Sequence, residues 1–371
     1  MTTPIADHWH RAGRSARDHR KRLLALYGVT LSPVALVLAV LAHRVLTGVG
    51  LDLAGLRRPI TWVLGPLRDA WMGDQDLSAL LWVLLAALAL SVVWGFFGGA
   101  ISRMAAVDLS SERREPPGAA LAFARRHARG FIGAKATLWA GALVPLGGAI
   151  LVSYAGRLPD PFGSLLLVPA VLVVAVLVVG AVVAASLGAA AGFLSSPTIA
   201  CEDSDAFDAV SRVYGYAAAG LPRLVGVRLV FLGGVLLGSG WRALRTGGAL
   251  LLGALAIEAG AGEDRLDRLL AAARDLGASG GRASAGDRIA AATLALVAGG
   301  LVAFWVADLV CRVLCGRVGA YLALRQAVDG VPPARLRTAG AAAPRLDAEQ
   351  AGFVEVARIG APTRRPARGA P

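Results

Sequence analysis

Charge is scarce in this chain. Asp, Glu, Lys and Arg together make 17% of its 371 residues while 56% are hydrophobic, whereas a soluble domain carries about a quarter charged residues. Cysteine is scarcer still, with three in all, which excludes a disulfide scaffold. The 46 glycines and 18 prolines show no short period, so the chain is not collagen-like, and its apolar content excludes a disordered one. Four signatures of chemistry are missing as well: a Gly-rich phosphate loop ending in Lys-Ser/Thr, His-Glu-x-x-His, a Gly-x-Ser-x-Gly elbow and Cys-x-x-Cys. No catalytic, cofactor or metal constellation is expected.

Long hydrophobic runs are what the chain has in quantity. A helix needs about 20 apolar residues to cross ~30 Å of hydrocarbon, because its backbone polar groups must be satisfied within the segment. Six stretches qualify: Leu23–Leu46, Leu77–Ile101, Phe131–Ala155, Leu165–Leu194, Leu224–Leu244 and Ile289–Gly316. The fourth has no charge at all; the fifth carries Arg228 and Arg242 inside its ends. The expected fold is all-α, a polytopic transmembrane bundle of about six spans with interfacial amphipathic helices. It divides into a basic N-terminus (1–22), a membrane domain (23–330) and a Pro/Arg-rich tail (331–371). The first run follows a basic leader and contains Val40-Leu41-Ala42, but it is too long for a signal sequence and reads as an uncleaved span.

Lys and Arg divide unevenly between alternate connections. Of the 38, 26 fall with the N-terminus, 102–135, 195–228 and the tail. Positive residues stay inside, so both termini are expected in the cytoplasm, the membrane being a bacterial inner one. The formal charge of +13 then speaks of orientation and of anionic headgroups on the cytoplasmic side. It does not argue for nucleic acid.

Several connections have helical periodicity. Near 117–130, Ala120, Leu121, Phe123, Ala124, Ala128 and Phe131 form an apolar stripe, with Arg125, Arg126 and Arg129 on the other face as candidate lipid contacts. Near 204–218, Phe207, Val210, Val213, Tyr214 and Ala217 repeat the spacing; Asp203-Ser204 can cap this helix, and Asp208 can pair with Arg212. Ile60–Trp71 and Leu266–Leu276 read similarly on the outer side. Gly98–Leu138 and Gly192–Phe231 therefore share one plan of span end, amphipathic helix and next span, an internal parallel repeat. Gly95-Phe96-Phe97-Gly98-Gly99 offers a small face to a partner helix, either from a membrane-protein partner or from a homo-oligomer.

Single residues invite chemistry. Asp308 lies in a spanning segment, where a carboxylate is costly and needs a partner or a watered cavity. Two readings stand: an ion or proton coupling site, or a local pair with Arg312 at i+4. Cys311 and Cys315 share a helix face but lack further metal ligands, so they read as packing residues, as does Cys201. Glu202-Asp203-Ser204-Asp205 reads as a helix cap, and His8-Trp9-His10 as part of a solvated tail.

Four blocks in order carry a resemblance: Trp94–Arg103, Ala120–Ala124, Pro197–Glu202 with Asp205–Arg212, and Tyr321–Gly330. On these the chain resembles a group of uncharacterised multi-pass membrane proteins of planctomycete-type bacteria, which implies an integral membrane protein and no particular activity. The Pro197–Glu202 block with its following helix also looks like the membrane domains attached to some bacterial glycerophosphodiester phosphodiesterases. Their catalytic domain has no counterpart here, and that activity is not implied. The expected function is a non-enzymatic component that organises lipid or binds a partner, the alternative being a permease or channel subunit.

Overall fold

The structure, a computed structural model, describes residues 4–46, 77–111, 113–154, 162–261, 267–269, 271 and 284–332. The segment 60–71, most of 266–276 and nearly all of the tail lie outside these. Among the described residues there are nine α-helices and no strand. They are α1 (Pro4–Ser15), α2 (His19–Leu46), α3 (Leu77–Ser111), α4 (Pro117–Arg126), α5 (Ala128–Ser153), α6 (Phe162–Ala191), α7 (Ser195–Glu202), α8 (Ala206–Ala261) and α9 (Ala285–Asp329), with a 3-10 turn, Gly192–Leu194, before α7. Six of them, α2, α3, α5, α6, α8 and α9, are long and apolar enough to span a membrane. The chain is an all-α transmembrane bundle. Pro33, Pro145, Pro169 and Pro222 lie inside four of these helices, as membrane helices tolerate.

The order of elements repeats three times rather than twice. A short amphipathic helix, a break and a spanning helix are followed by a returning span that packs on it: α1, α2 and α3; then α4, α5 and α6; then the start of α8, its remainder and α9. The break falls at Ala16–Asp18 in the first unit, at His127 in the second, and at Gly220 (φ 170°, ψ 81°) in the third. The third copy is set off by α7, which has no equivalent in the others.

Several expectations need correction. The N-terminal residues are not a solvated tail: His8 is buried and its Nε2 lies 2.8 Å from Gln326 Oε1, and Ala12 and Ala16 join the core. Their helix packs where α8 and α9 are notched. A Cβ on Gly319 would stand 2.8 Å from Phe231 Cε1 and 3.0 Å from Ala12 Cβ, so no larger residue fits without displacing α1. The fifth span does not end near Leu244. α8 runs on to Ala261, with Phe231 beside Gly319, Gly238 beside Arg312 and Arg242 beside Asp308, and that antiparallel register sets residues after Arg242 alongside Ile289–Phe304. In the amphipathic start of α8, Phe207 is exposed and the buried face is Ala209, Val210, Val213, Tyr216 and Ala217. The small face of α3 is taken by the chain itself: Gly95 meets Ile132, Gly98 meets Leu314 and Gly99 meets Phe131.

Burial is concentrated at one end. Ala100–Val107 of α3, Pro197–Cys201 of α7 and most of Ala307–Leu324 of α9 form one core with α1 and the start of α2. Towards the other end the same long helices present Val176, Leu237, Ile289 and Leu296 outward. In lipid such side chains gain nothing by burial, so helix association depends on close packing of small residues and on polar contacts. The core is accordingly rich in Ala and in paired charges.

Candidate functional site

The buried end holds four charge clusters, each joining elements distant in sequence. The first centres on Asp308, whose residue is 1% exposed. It follows the uncharged run 289–307 of α9, at the point where that helix enters the core. Arg22 Nε from α2 lies 3.0 Å from Oδ1, Arg242 Nη1 from α8 donates to the same oxygen, and Arg312 Nε donates to Oδ2 at 2.8 Å. The expected pair with Arg312 is therefore one contact of three. Arg22 Nε also reaches the Ala16 carbonyl at 3.2 Å, which fixes the turn between α1 and α2.

Glu202 forms the second. Its carboxylate accepts from the Tyr321 hydroxyl and from Arg325 Nη1, and Arg212 Nη1 stands 2.5 Å from its other oxygen. Tyr321 meets the ring of Tyr216 edge-on, and the Tyr216 hydroxyl donates to Asp329 Oδ2 at 2.7 Å. The residues expected to cap α8 divide their labour. Asp205 is the cap, its Oδ1 accepting from Asp208 N at 2.8 Å; Asp203 takes a left-handed φ of 58° and meets His127 Nε2 at 2.7 Å; Glu202 turns inward. Asp208 pairs with Arg212 at 3.6 Å, as its spacing suggests.

The third and fourth clusters tie α3 to its neighbours. Lys21 is 1% exposed; its Nζ donates to Asp108 Oδ2 at 2.9 Å and to the Ser15 hydroxyl. Arg103 donates to the Ala200 carbonyl at 2.9 Å and lies over the Phe123 ring, 4.5 Å from its centroid. Its Nε faces Glu115 Oε2 at 3.3 Å without hydrogen-bond geometry. Burial therefore raises the Glu115 pKa above its ordinary value of 4.5, with the charge of Arg103 opposing the rise.

The sign of that shift gives a prediction. A carboxyl whose folded pKa lies above its unfolded one stabilises the fold below the unfolded value, and the contribution is lost as pH rises through the folded value. Thermal melts in detergent should show a Tm that falls between pH 4.5 and neutrality, and Glu115→Gln should flatten that slope. An unchanged slope in the variant would assign the pH dependence to another group.

Cys201, Cys311 and Cys315 are all buried, and burial pushes the Cys201 thiol up to about 12, with the charge of Glu202 adding to the effect. Among the described residues no group of three or more His, Cys, Asp or Glu is placed to hold a metal ion.

Outward-facing cations complete this end. Ala120, Phe123 and Ala124 of α4 and Phe131 of α5 are buried while Arg125, Arg126 and Arg129 are exposed, in accord with the apolar stripe. Beside α1 an open cavity of 610 Å³ is lined by Arg11, Arg14, Arg17 and Arg114 together with Asp18 and Asp108. The arrangement locks carboxylates inward between cations of different helices and turns further arginines outward. Three guanidiniums from α2, α8 and α9 converge on the Asp308 carboxylate, which makes it a strong cross-link between these helices. The sequence signal for its two distant partners was only that an intramembrane carboxylate must have some. Comparison with protein-family models, with curated proteins and with solved structures finds no match.

Proposed function

We propose that this chain is a non-enzymatic membrane component that gathers anionic lipid around a rigid, charge-locked platform on the cytoplasmic side of a bacterial inner membrane. The observation that carries this reading is the division of charge: the buried carboxylates are engaged by cations of the chain itself, while Arg125, Arg126 and Arg129 project together from one surface. Exposed cations beside an amphipathic helix attract anionic headgroups, each by about 1 kcal/mol near a charged surface. Transport through Asp308 is not favoured, because three guanidiniums of the chain itself already occupy its carboxylate.

Reconstitution into vesicles of mixed phosphatidylglycerol and phosphatidylcholine tests the proposal. Energy transfer from the protein to labelled phosphatidylglycerol should report enrichment around the chain, and Arg125→Gln, Arg126→Gln and Arg129→Gln together should abolish most of it. Equal transfer to both lipids in the unaltered chain would sink the idea.

A further inference from the structure

The open cavity beside α1, at 610 Å³, has the size of a ligand pocket, about 300–1,000 Å³. Its wall is assembled from three places in the chain. Arg14 belongs to the last turn of α1, Arg17 to the turn before α2, and Arg114 to the segment after α3. All three are exposed, and among the described residues their side chains make no hydrogen bond or ion pair. Guanidiniums from three separate segments thus share one open space.

The carboxylates of the same wall are already engaged. Asp108 Oδ2 accepts from Lys21 Nζ at 2.9 Å, and Lys21 also donates to the Ser15 hydroxyl and, at 3.3 Å, to the Ser15 carbonyl. Asp18 Oδ1 accepts from Arg20 N at 3.0 Å and lies 3.7 Å from His19 Nδ1. Ser15 and Lys21 are buried, so α1 is pinned to α3 beneath the cavity, and the backbones that carry the arginines are held over a fixed floor. Among the described residues that line it, Leu109 is the one apolar side chain, which leaves an acyl chain little to pack on. The cavity also lies past the polar boundary of α3. Ser102-Arg103 end its uncharged run, and Asp108 stands roughly 8 Å beyond Arg103 at ~1.5 Å per residue. That level opens to water.

We propose that Arg14, Arg17 and Arg114 bind the phosphate groups of a soluble polyphosphorylated anion in this cavity. Guanidinium forks match phosphate oxygens two at a time, and three of them on separate segments call for a ligand with more than one phosphate group. Bound there, the anion ties α1 and its turn to the end of α3. The inference stands apart from the lipid-gathering reading, which uses Arg125, Arg126 and Arg129 on another surface.

The test uses the full chain in nanodiscs of phosphatidylcholine, with inorganic pyrophosphate as the probe. Titration calorimetry should show one saturable site per chain, and amide exchange in α1 and in Ala16–Asp18 should slow on binding. Arg14→Gln with Arg114→Gln should weaken binding by about tenfold or more, the loss of charge-assisted hydrogen bonds. The surface variant at Arg125, Arg126 and Arg129 should bind as the unaltered chain does.

A thermal melt without pyrophosphate guards against misfolding. Both side chains are exposed, so the Tm of the double variant should be unchanged, while the rise that pyrophosphate gives the unaltered chain disappears. If the double variant does not fold, Arg114→Lys alone should still weaken binding, since the planar fork is lost and the charge kept. No saturable binding to the unaltered chain, binding unchanged in the folded double variant, or binding lost only in the surface variant would overturn the site. Equal affinity for citrate, a polyanion without phosphate, would overturn the phosphate assignment. Nanodiscs that contain phosphatidylglycerol separate the two sources of phosphate. Pyrophosphate binding should persist in them, and its abolition would hand the cavity to a lipid headgroup and overturn the soluble ligand.

Discussion

Asp308→Asn should destabilise the folded chain by about 3–5 kcal/mol, the scale on which removal of one partner from a buried ion cluster acts. Three guanidiniums from α2, α8 and α9 converge on its carboxylate. Asparagine keeps the shape and one acceptor oxygen, but leaves Arg22, Arg242 and Arg312 facing one another with no negative charge between them. The loss should appear as a lowered Tm in detergent and as faster amide exchange in α1 and the first turns of α2, because Arg22 holds the turn between them through the Ala16 carbonyl. A second substitution separates electrostatics from packing. Adding Arg242→Gln to Asp308→Asn removes one of the stranded charges and should return part of the stability, a coupling of about 0.5–3 kcal/mol by double-mutant cycle. A coupling site would behave otherwise: Asp308→Asn would leave folding intact and abolish a flux. Intact Tm with lost flux would therefore replace the cross-link by transport as the role of this residue.

The parts of the fold legible in the sequence were those written in local patterns. Apolar runs located all six spanning helices, since composition and length alone decide whether a segment can cross hydrocarbon. The stripe from Ala120 to Phe131 placed Arg125, Arg126 and Arg129 outward, because helical periodicity is local too. The i,i+4 rule found the Asp308–Arg312 and Asp208–Arg212 pairs. What stayed hidden depends on register between distant helices. Arg242 and Asp308 are 66 residues apart, and nothing in either helix specifies that α8 and α9 align so as to bring them together. The same register lengthens α8 past Arg242, which the apolar run alone put just inside the end of the fifth span.

The first of the three hairpins escaped for a different reason. Its amphipathic helix, α1, hides under a basic leader, and its buried face contains His8, Ser15 and small alanines rather than large apolar residues. Periodicity searches weigh bulk, whereas docking here depends on smallness: Ala12 and Gly319 let α1 approach α9, and Trp9 lies over Gly234. With that unit recognised, each of the three spanning pairs is preceded by an amphipathic helix at the buried end. Tertiary contacts among those entry segments, α7 and the last turns of α9 build the platform that the charge clusters lock.

Glu202 tests that platform at its other side. Its side chain is 8% exposed, and its carboxylate binds Arg325 and Tyr321 of α9 and Arg212 of α8. Glu202→Gln should cost about 3 kcal/mol, since hydrogen bonds to charged groups are worth roughly 1.5–3 kcal/mol each and a glutamine can accept only part of the set. Its amide would also turn an N–H donor towards a guanidinium. The effect should be local before it is global: exchange protection should fall first in α7 and the opening turns of α8, where the Arg103–Ala200 hydrogen bond, Asp205 and the His127–Asp203 contact are the remaining anchors. Tyr321→Phe removes a single donor and should cost only about 1 kcal/mol, with α7 still protected. If the two variants prove equally mild, the arginines have found solvent or lipid in place of Glu202, and the α7–α9 junction is held by the packing of Cys201, Leu322 and Leu324 rather than by charge. If Glu202→Gln alone loosens α7, the carboxylate is what binds the short helix, the element with no counterpart in the other two hairpins, to the last turns of α9.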